Sequence, residues 1–116
     1  MAIYVTSDAH GHVRALDEAL SKISLASDDT LYVLGDMIDR GPDPVGVIKL
    51  VRSLPNARVL KGNHEQIMLD AIIGQDPLDA ETWDINGGWT TREQLNDMEF
   101  EAYEELVRGR AALPLY

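Results

Sequence analysis

The sequence contains no cysteine, which excludes both a disulfide framework and a thiolate metal site. Aromatic residues are scarce, at 6%, so any core must be mostly aliphatic. With 45% hydrophobic residues in a chain of 116, one compact domain can be built. No run approaches the ~20 apolar residues of a membrane span. The opening segment "MAIYVTSDAHG" has neither the basic stretch nor the long apolar stretch of a secretory signal, so a cytoplasmic location is expected. Positive charge is also in short supply: ten basic residues face twenty acidic ones, for a formal charge of −10. Such a field disfavours nucleic acid and anionic membranes as partners. It leaves phosphorylated substrates open, because bound divalent cations reverse the local field.

What is present is a succession of strand–helix units. "AIYVTS" (Ala2 to Ser7) is short, β-branched and aromatic, and reads as a strand. After "DAHGH", the residues Val13, Leu16, Ala19, Leu20 and Ile23 recur at helical spacing, with His12 at the helix start. "TLYVLG" is the second strand; Pro42 and Pro44 delay the next helix, and Pro44 suits a first-turn position. Val45, Val47, Ile48, Leu50 and Val51 make an apolar helix ending near Leu54 and Pro55. "ARVLKG" is the third strand, and "HEQIMLDAII" a helix closed by Gly74. From Gln75 onward the chain is acidic, holds both tryptophans, and predicts helices near Thr91 to Met98 and Phe100 to Gly109. Strand–helix alternation with short connections implies right-handed crossovers and a parallel sheet, an α/β fold. The strands are near-continuous apolar runs, as expected of a sheet covered on both faces.

The strand ends carry the chemistry. They read "SDAHGH", "GDMIDRG" and "GNHE". In an open parallel sheet all carboxyl ends lie on one edge, where ligands bind. Asp8, His10, Asp36, Asp39, Arg40, Asn63 and His64 are therefore expected in one crevice. Taken singly, each has an ordinary explanation as a turn former, a cap or a solvated loop residue. Turn preference does not predict that successive strand ends carry Asp-x-His, Gly-Asp-x-x-Asp-Arg-Gly and Gly-Asn-His-Glu. Asp8 and His10 can offer an oxygen and a nitrogen to one cation, Asp36 can bridge two, and Asn63 offers an amide oxygen. An N/O donor set suits manganese, iron or zinc. Two such ions about 3.5–4 Å apart clamp a phosphoryl group.

"DAHGH", "GDMIDRGPDP" and "GNHEQIMLDA" resemble the N-terminal signature blocks of the calcineurin-like metallophosphoesterases. "GDMIDRG" and "GNHE" are similar to the serine/threonine phosphoprotein phosphatases, above all the small bacterial and phage lambda-type enzymes, which share a Trp-x-x-Asn-Gly-Gly element like "WDINGG". The resemblance implies an αββα sandwich with two divalent metal ions, manganese first among the candidates. By the same resemblance Asp8 and His10 would bind the first metal, Asp36 both, and Asn63 the second metal and the phosphate. His64 would be the general acid, oriented by Asp39, and Arg40 would grip phosphate oxygens. The implied reaction is in-line attack by metal-activated hydroxide on a phosphoserine or phosphothreonine ester. Asn86 to Gly88 are placed at the substrate cleft.

The family continues beyond "ALPLY" into a second sheet that supplies further metal-binding histidines and a second arginine, whereas this chain has only His10, His12 and His64. Residues 1–116 are therefore expected to form the N-terminal portion of such a domain. Alone, that portion is expected to be poorly active and to expose an apolar sheet face through which it self-associates. Two alternatives stand beside the protein phosphatase: a dinucleoside polyphosphate hydrolase, which shares the same blocks, and a non-catalytic fragment.

Overall fold

A computed structural model describes residues 1–115. The expected alternation is present: strand β1 (Ile3–Thr6), helix α1 (Val13–Ile23), β2 (Thr30–Val33), α2 (Pro44–Arg52), β3 (Ala57–Val59) and α3 (Asn63–Ile73). The strands are shorter than the apolar runs that announced them, because each chain leaves the sheet as its loop turns. They form one parallel sheet in the order β1-β2-β3, with Tyr4 beside Leu31 and Thr6 beside Val33. Asp43 caps α2 by accepting from the Gly46 N–H at 2.9 Å, and Pro44 takes the first helical position. Gly74 closes α3.

The strand order explains which face of the sheet is covered. Two successive right-handed crossovers that step the same way across a sheet leave their helices on one face. Leu31 and Val33 face that side and are 2% exposed, in a core with Leu16, Val47, Ile48 and Met68. The other face, carrying Ile3 and Val5 at 62% exposure each, is left open by the described residues. Apolar strands on both faces suggest a sheet covered twice, but in residues 1–115 only one face is covered, since the strand order never reverses, and the open face is the apolar one expected to be exposed by this portion alone.

The remainder is helical: α4 (Pro77–Ile85), α5 (Trp89–Asn96) and α6 (Phe100–Ala111). Helix α4 was not anticipated. Its apolar pattern is poor, with Leu78 and Ile85 exposed and Trp83 buried. The available signal was local, an Asp76 cap that accepts from the Leu78 N–H at 2.9 Å, followed by Pro77 at the first helical position. Helix α4 packs on α3, α5 on α2 and α6 on α3. Beyond α6 the chain returns to the sheet: the Lys61 N–H donates to the Pro114 carbonyl at 2.7 Å, and Leu115 bridges Lys61 in parallel.

Candidate functional site

The loops after β1 and β2 are laced together by their backbones. The His10 N–H donates to the Asp36 carbonyl at 3.0 Å, and the Gly11 N–H to that of Met37 at 2.9 Å. The loops after β2 and β3 meet glycine to glycine. A Cβ on Gly35 would lie 2.3 Å from the Gly62 nitrogen, and one on Gly62 would lie 2.4 Å from the Asp36 nitrogen. This contact is the physical reason for a glycine before Asp36 and another before Asn63. Glu65, fully buried, ties the same junction. Its Oε1 accepts from the Asp36 N–H at 2.6 Å and the Gly62 N–H at 2.9 Å, and its Oε2 from the Met37 N–H at 3.0 Å. Burial pushes its carboxyl above the usual range, while those donors pull it back. Glu65 lay within the quoted "GNHE" without a role; its position three residues after Gly62 is the signal of a side chain that reaches back to a helix start.

The backbone is strained where the chemistry is. Asp8, His10, Asp36, Asp39 and Arg40 all have positive φ, between 40° and 72°. Among the described non-glycine residues, Ser24 at the end of α1 is the only other. Aspartate and histidine tolerate this region better than most residues, but such a concentration is typical of sites over-determined by their surroundings.

The structure brings Asp8, His10 and Asp36 together, with one donor atom from each lying within 4.8 Å of the others. The His10 Nδ1–H donates to the Ile38 carbonyl at 2.7 Å, which leaves Nε2 facing the Asp8 carboxylate at 3.5 Å. Asp36 Oδ1 accepts the His64 N–H at 2.8 Å, in the first turn of α3. Asn63 opens that helix and is exposed beside this contact. His12 begins α1 and makes no side-chain cap.

A second pair lies alongside. His64 Nδ1 is 2.8 Å from Asp39 Oδ2, and the His64 ring meets the His10 ring edge to face, with centroids 4.6 Å apart. Asp39 is fully buried; its Oδ1 accepts from the Trp83 Nε1–H at 3.0 Å and the Thr91 hydroxyl at 2.7 Å. Trp83 stands in the "WDINGG" element and Thr91 at a helix start, but neither carries a role in the sequence, because their partner lies far away along the chain. Arg40 is exposed, and its stem is held: its backbone N–H donates to the Gly87 carbonyl at 2.9 Å and its Nε–H to the Asn86 carbonyl at 3.4 Å. A Cβ on Gly87 would come 2.6 Å from Arg40 Cγ, and one on Gly88 would come 2.2 Å from the Trp83 ring. The Asn86–Gly88 element is thus a cradle for Arg40 and Trp83. Beneath the site, Arg110 is buried against Met37 Sδ at 3.7 Å, and its Nε has no partner among the described residues. Burial weighs against its charge, and the nearby Glu65 carboxylate favours it.

The donor chemistry fits a divalent metal ion. Two carboxylates and an imidazole converge, and the ring's other nitrogen is already fixed by a backbone carbonyl, an arrangement that orients metal-ligating histidines. Among the described residues this is the one such group. No helix among them is long and apolar enough to cross a membrane.

Residues 1–110 match the family model described as "Calcineurin-like phosphoesterase". The symmetrical bis(5'-nucleosyl)-tetraphosphatase of Proteus mirabilis is 39% identical over 71 residues, covering 60% of this chain and 26% of that protein. Serine/threonine-protein phosphatase 2 of Escherichia coli is 36% identical over 114 residues, covering 97% of this chain and 50% of that protein. The crystal structure of a metallophosphoesterase from Sphaerobacter thermophilus superposes with a TM-score of 0.63 at 28% identity, over 97% of this chain and 40% of that one. The chain spans half or less of the length of each of these relatives.

Proposed function

Since the chain belongs to the calcineurin-like phosphoesterase family, we propose that it carries the metal-binding and acid groups of a hydrolase for phosphoserine and phosphothreonine monoesters. The observation that carries the proposal is the placement of the Asp8–His10–Asp36 cluster beside the Asp39–His64 pair. Asp8, His10 and Asp36 would hold a divalent ion, manganese being the first candidate, with Asn63 and Asp36 available to a second. Such ions would supply Lewis-acid polarisation of the phosphoryl group and an activated water.

The chain's own groups account for the rest. His64 is anchored through Nδ1, so its Nε2 is the atom able to give a proton to a leaving alkoxide. Asp39 holds that ring in place. Arg40, with its stem fixed by Asn86 and Gly87, presents its terminal nitrogens as a planar fork for phosphate oxygens. Four metal-binding side chains are few for two ions, so the chain by itself should turn over slowly and gain activity when the downstream half of a phosphatase relative is supplied. Dinucleoside polyphosphates are the second reading, favoured by the 39% identity to the Proteus mirabilis tetraphosphatase.

The test is a titration of the chain with Mn²⁺, followed by paramagnetic broadening of its histidine signals and by para-nitrophenyl phosphate hydrolysis. His10 signals should broaden first, and Asp36→Asn should remove both the binding and the Mn²⁺-dependent rate. Equal behaviour of Asp36→Asn and wild type would overturn the proposal. A phosphoserine peptide against diadenosine tetraphosphate then separates the two substrate readings. Metal binding with no turnover of any ester, even with the downstream half supplied, would identify a non-catalytic remnant.

A further inference from the structure

The Asp39 carboxylate is saturated in a way that dictates the state of His64. The Asp39 N–H donates to the Thr91 hydroxyl oxygen at 2.9 Å, so the hydroxyl's own proton is directed to Asp39 Oδ1 at 2.7 Å. The Trp83 Nε1–H, which can only donate, reaches the same Oδ1 at 3.0 Å. Oδ1 therefore accepts two hydrogen bonds, and the Asp39 side chain is closed to water. Among the described residues the one hydrogen bond left to Oδ2 is with His64 Nδ1 at 2.8 Å, and a carboxylate there requires a donor. The proton on the imidazole must then sit on Nδ1.

Resting on the hydrolase reading above, we propose that Trp83 and Thr91 are positioning residues. Acting through Asp39, they fix the aim of His64 and keep a proton on Nδ1, so that Nε2 is the outward nitrogen, which takes a second proton from solvent and gives it to the leaving group. Their placement is suited to this. Trp83 comes from α4 and Thr91 from α5, and the turn between them, Asn86 to Gly88, holds Arg40. One segment of chain thus orients both the proton donor and the phosphate fork, although it contributes neither.

A packing role for the same residues makes the opposite prediction, and conservative variants separate the two. Thr91→Val keeps the shape and removes the hydroxyl; Thr91→Ser keeps the hydroxyl and removes the methyl. Trp83→Phe keeps a ring and removes the N–H. The readout is the imidazole ¹⁵N–¹H long-range spectrum of the metal-free chain, in which only His10, His12 and His64 contribute. In wild type and Thr91→Ser, His64 should show the Nδ1–H form with a slowly exchanging proton. In Thr91→Val and Trp83→Phe that proton should exchange at least about tenfold faster, the fold-change expected for weakening by a single neutral hydrogen bond. The Nε2–H form should appear alongside it. Trp89→Phe, at a half-exposed position outside the network, should behave as wild type. If Thr91→Val and Trp83→Phe keep the wild-type tautomer and exchange rate, or if Thr91→Ser is perturbed more than Thr91→Val, the inference is overturned. The reading it rests on fails separately: His64→Asn that slows phosphoserine and para-nitrophenyl phosphate hydrolysis equally would remove the acid role while leaving the tautomer result intact.

Discussion

Two aspartate–histidine pairs lie side by side in this molecule, built from the same residue types and wired in opposite senses. In the pair Asp8–His10 the backbone carbonyl of Ile38 takes Nδ1, and Nε2 faces the carboxylate at 3.5 Å, with the Asp8 side chain 63% exposed. In the pair Asp39–His64 the carboxylate takes Nδ1 at 2.8 Å, and the Asp39 side chain is fully buried. The first carboxylate is open and under-partnered, a state in which a cation is the natural third party. The second is closed and fully partnered, a state that orients a ring and leaves its other nitrogen for proton transfer. Residue type permits both behaviours, and the choice is made by which ring nitrogen the protein ties down and how many donors surround the carboxylate.

Breaking the closed pair should produce the largest effect. His64→Asn is expected to slow hydrolysis of alkyl phosphates by about 10²–10⁴-fold. Mn²⁺ affinity, read by calorimetry, should remain near wild type. A variant that instead lost the metal would show that the two pairs do not divide the work. Breaking the open pair should reverse the pattern. His10→Asn should weaken Mn²⁺ by more than the roughly 10–100-fold that follows loss of a mere outer partner. The His64 Nδ1–H signal of the metal-free chain should persist.

Loosening the junction that aligns the pairs should cost stability before chemistry. Glu65→Gln turns one acceptor into a donor opposite a backbone N–H. Denaturant unfolding should show a loss of about 1–3 kcal/mol, the usual range for a buried group left unsatisfied. An unchanged unfolding midpoint would mean that the loops after β2 and β3 are held by their glycine contact alone.

The smallest effect serves as a control away from both pairs. Asp29 accepts the Ala2 N–H at 2.7 Å and the Ala26 N–H at 2.8 Å, at the start of the sheet. These bonds, with that to Ala26 the stronger influence, hold its carboxyl below its ordinary value of 3.8. A depressed carboxyl stabilises the fold above its unfolded value and loses that contribution as pH falls through its folded value. Thermal melts of Asp29→Asn should therefore lie slightly below wild type at pH 7, and the two should converge below about pH 3.8. A gap that persists in acid would assign the effect to packing rather than charge.

Much of this was legible in the chain itself. The strand-end motifs, the helices after them and the first-turn place of Pro44 are set by contacts within a few residues, where hydrophobic period and turn chemistry speak directly. The clustering of Asp8, His10 and Asp36 follows from the rule that parallel strands end on one edge. Helix α4 escaped because its exposed Leu78 and Ile85 blur the helical pattern. The open sheet face was expected from the family resemblance alone, because it depends on strand order, which no local pattern encodes. The wiring of the two pairs escaped for a related reason. Trp83 and Thr91 reach Asp39 across 44 and 52 residues of sequence, and His10 reaches Ile38 across 28. The sequence by itself determined which groups stand at the strand ends. Only the tertiary structure decided which nitrogen of each histidine is bound and which carboxylate is closed to water, because hydrogen-bond partners and burial are properties of segments brought together by folding.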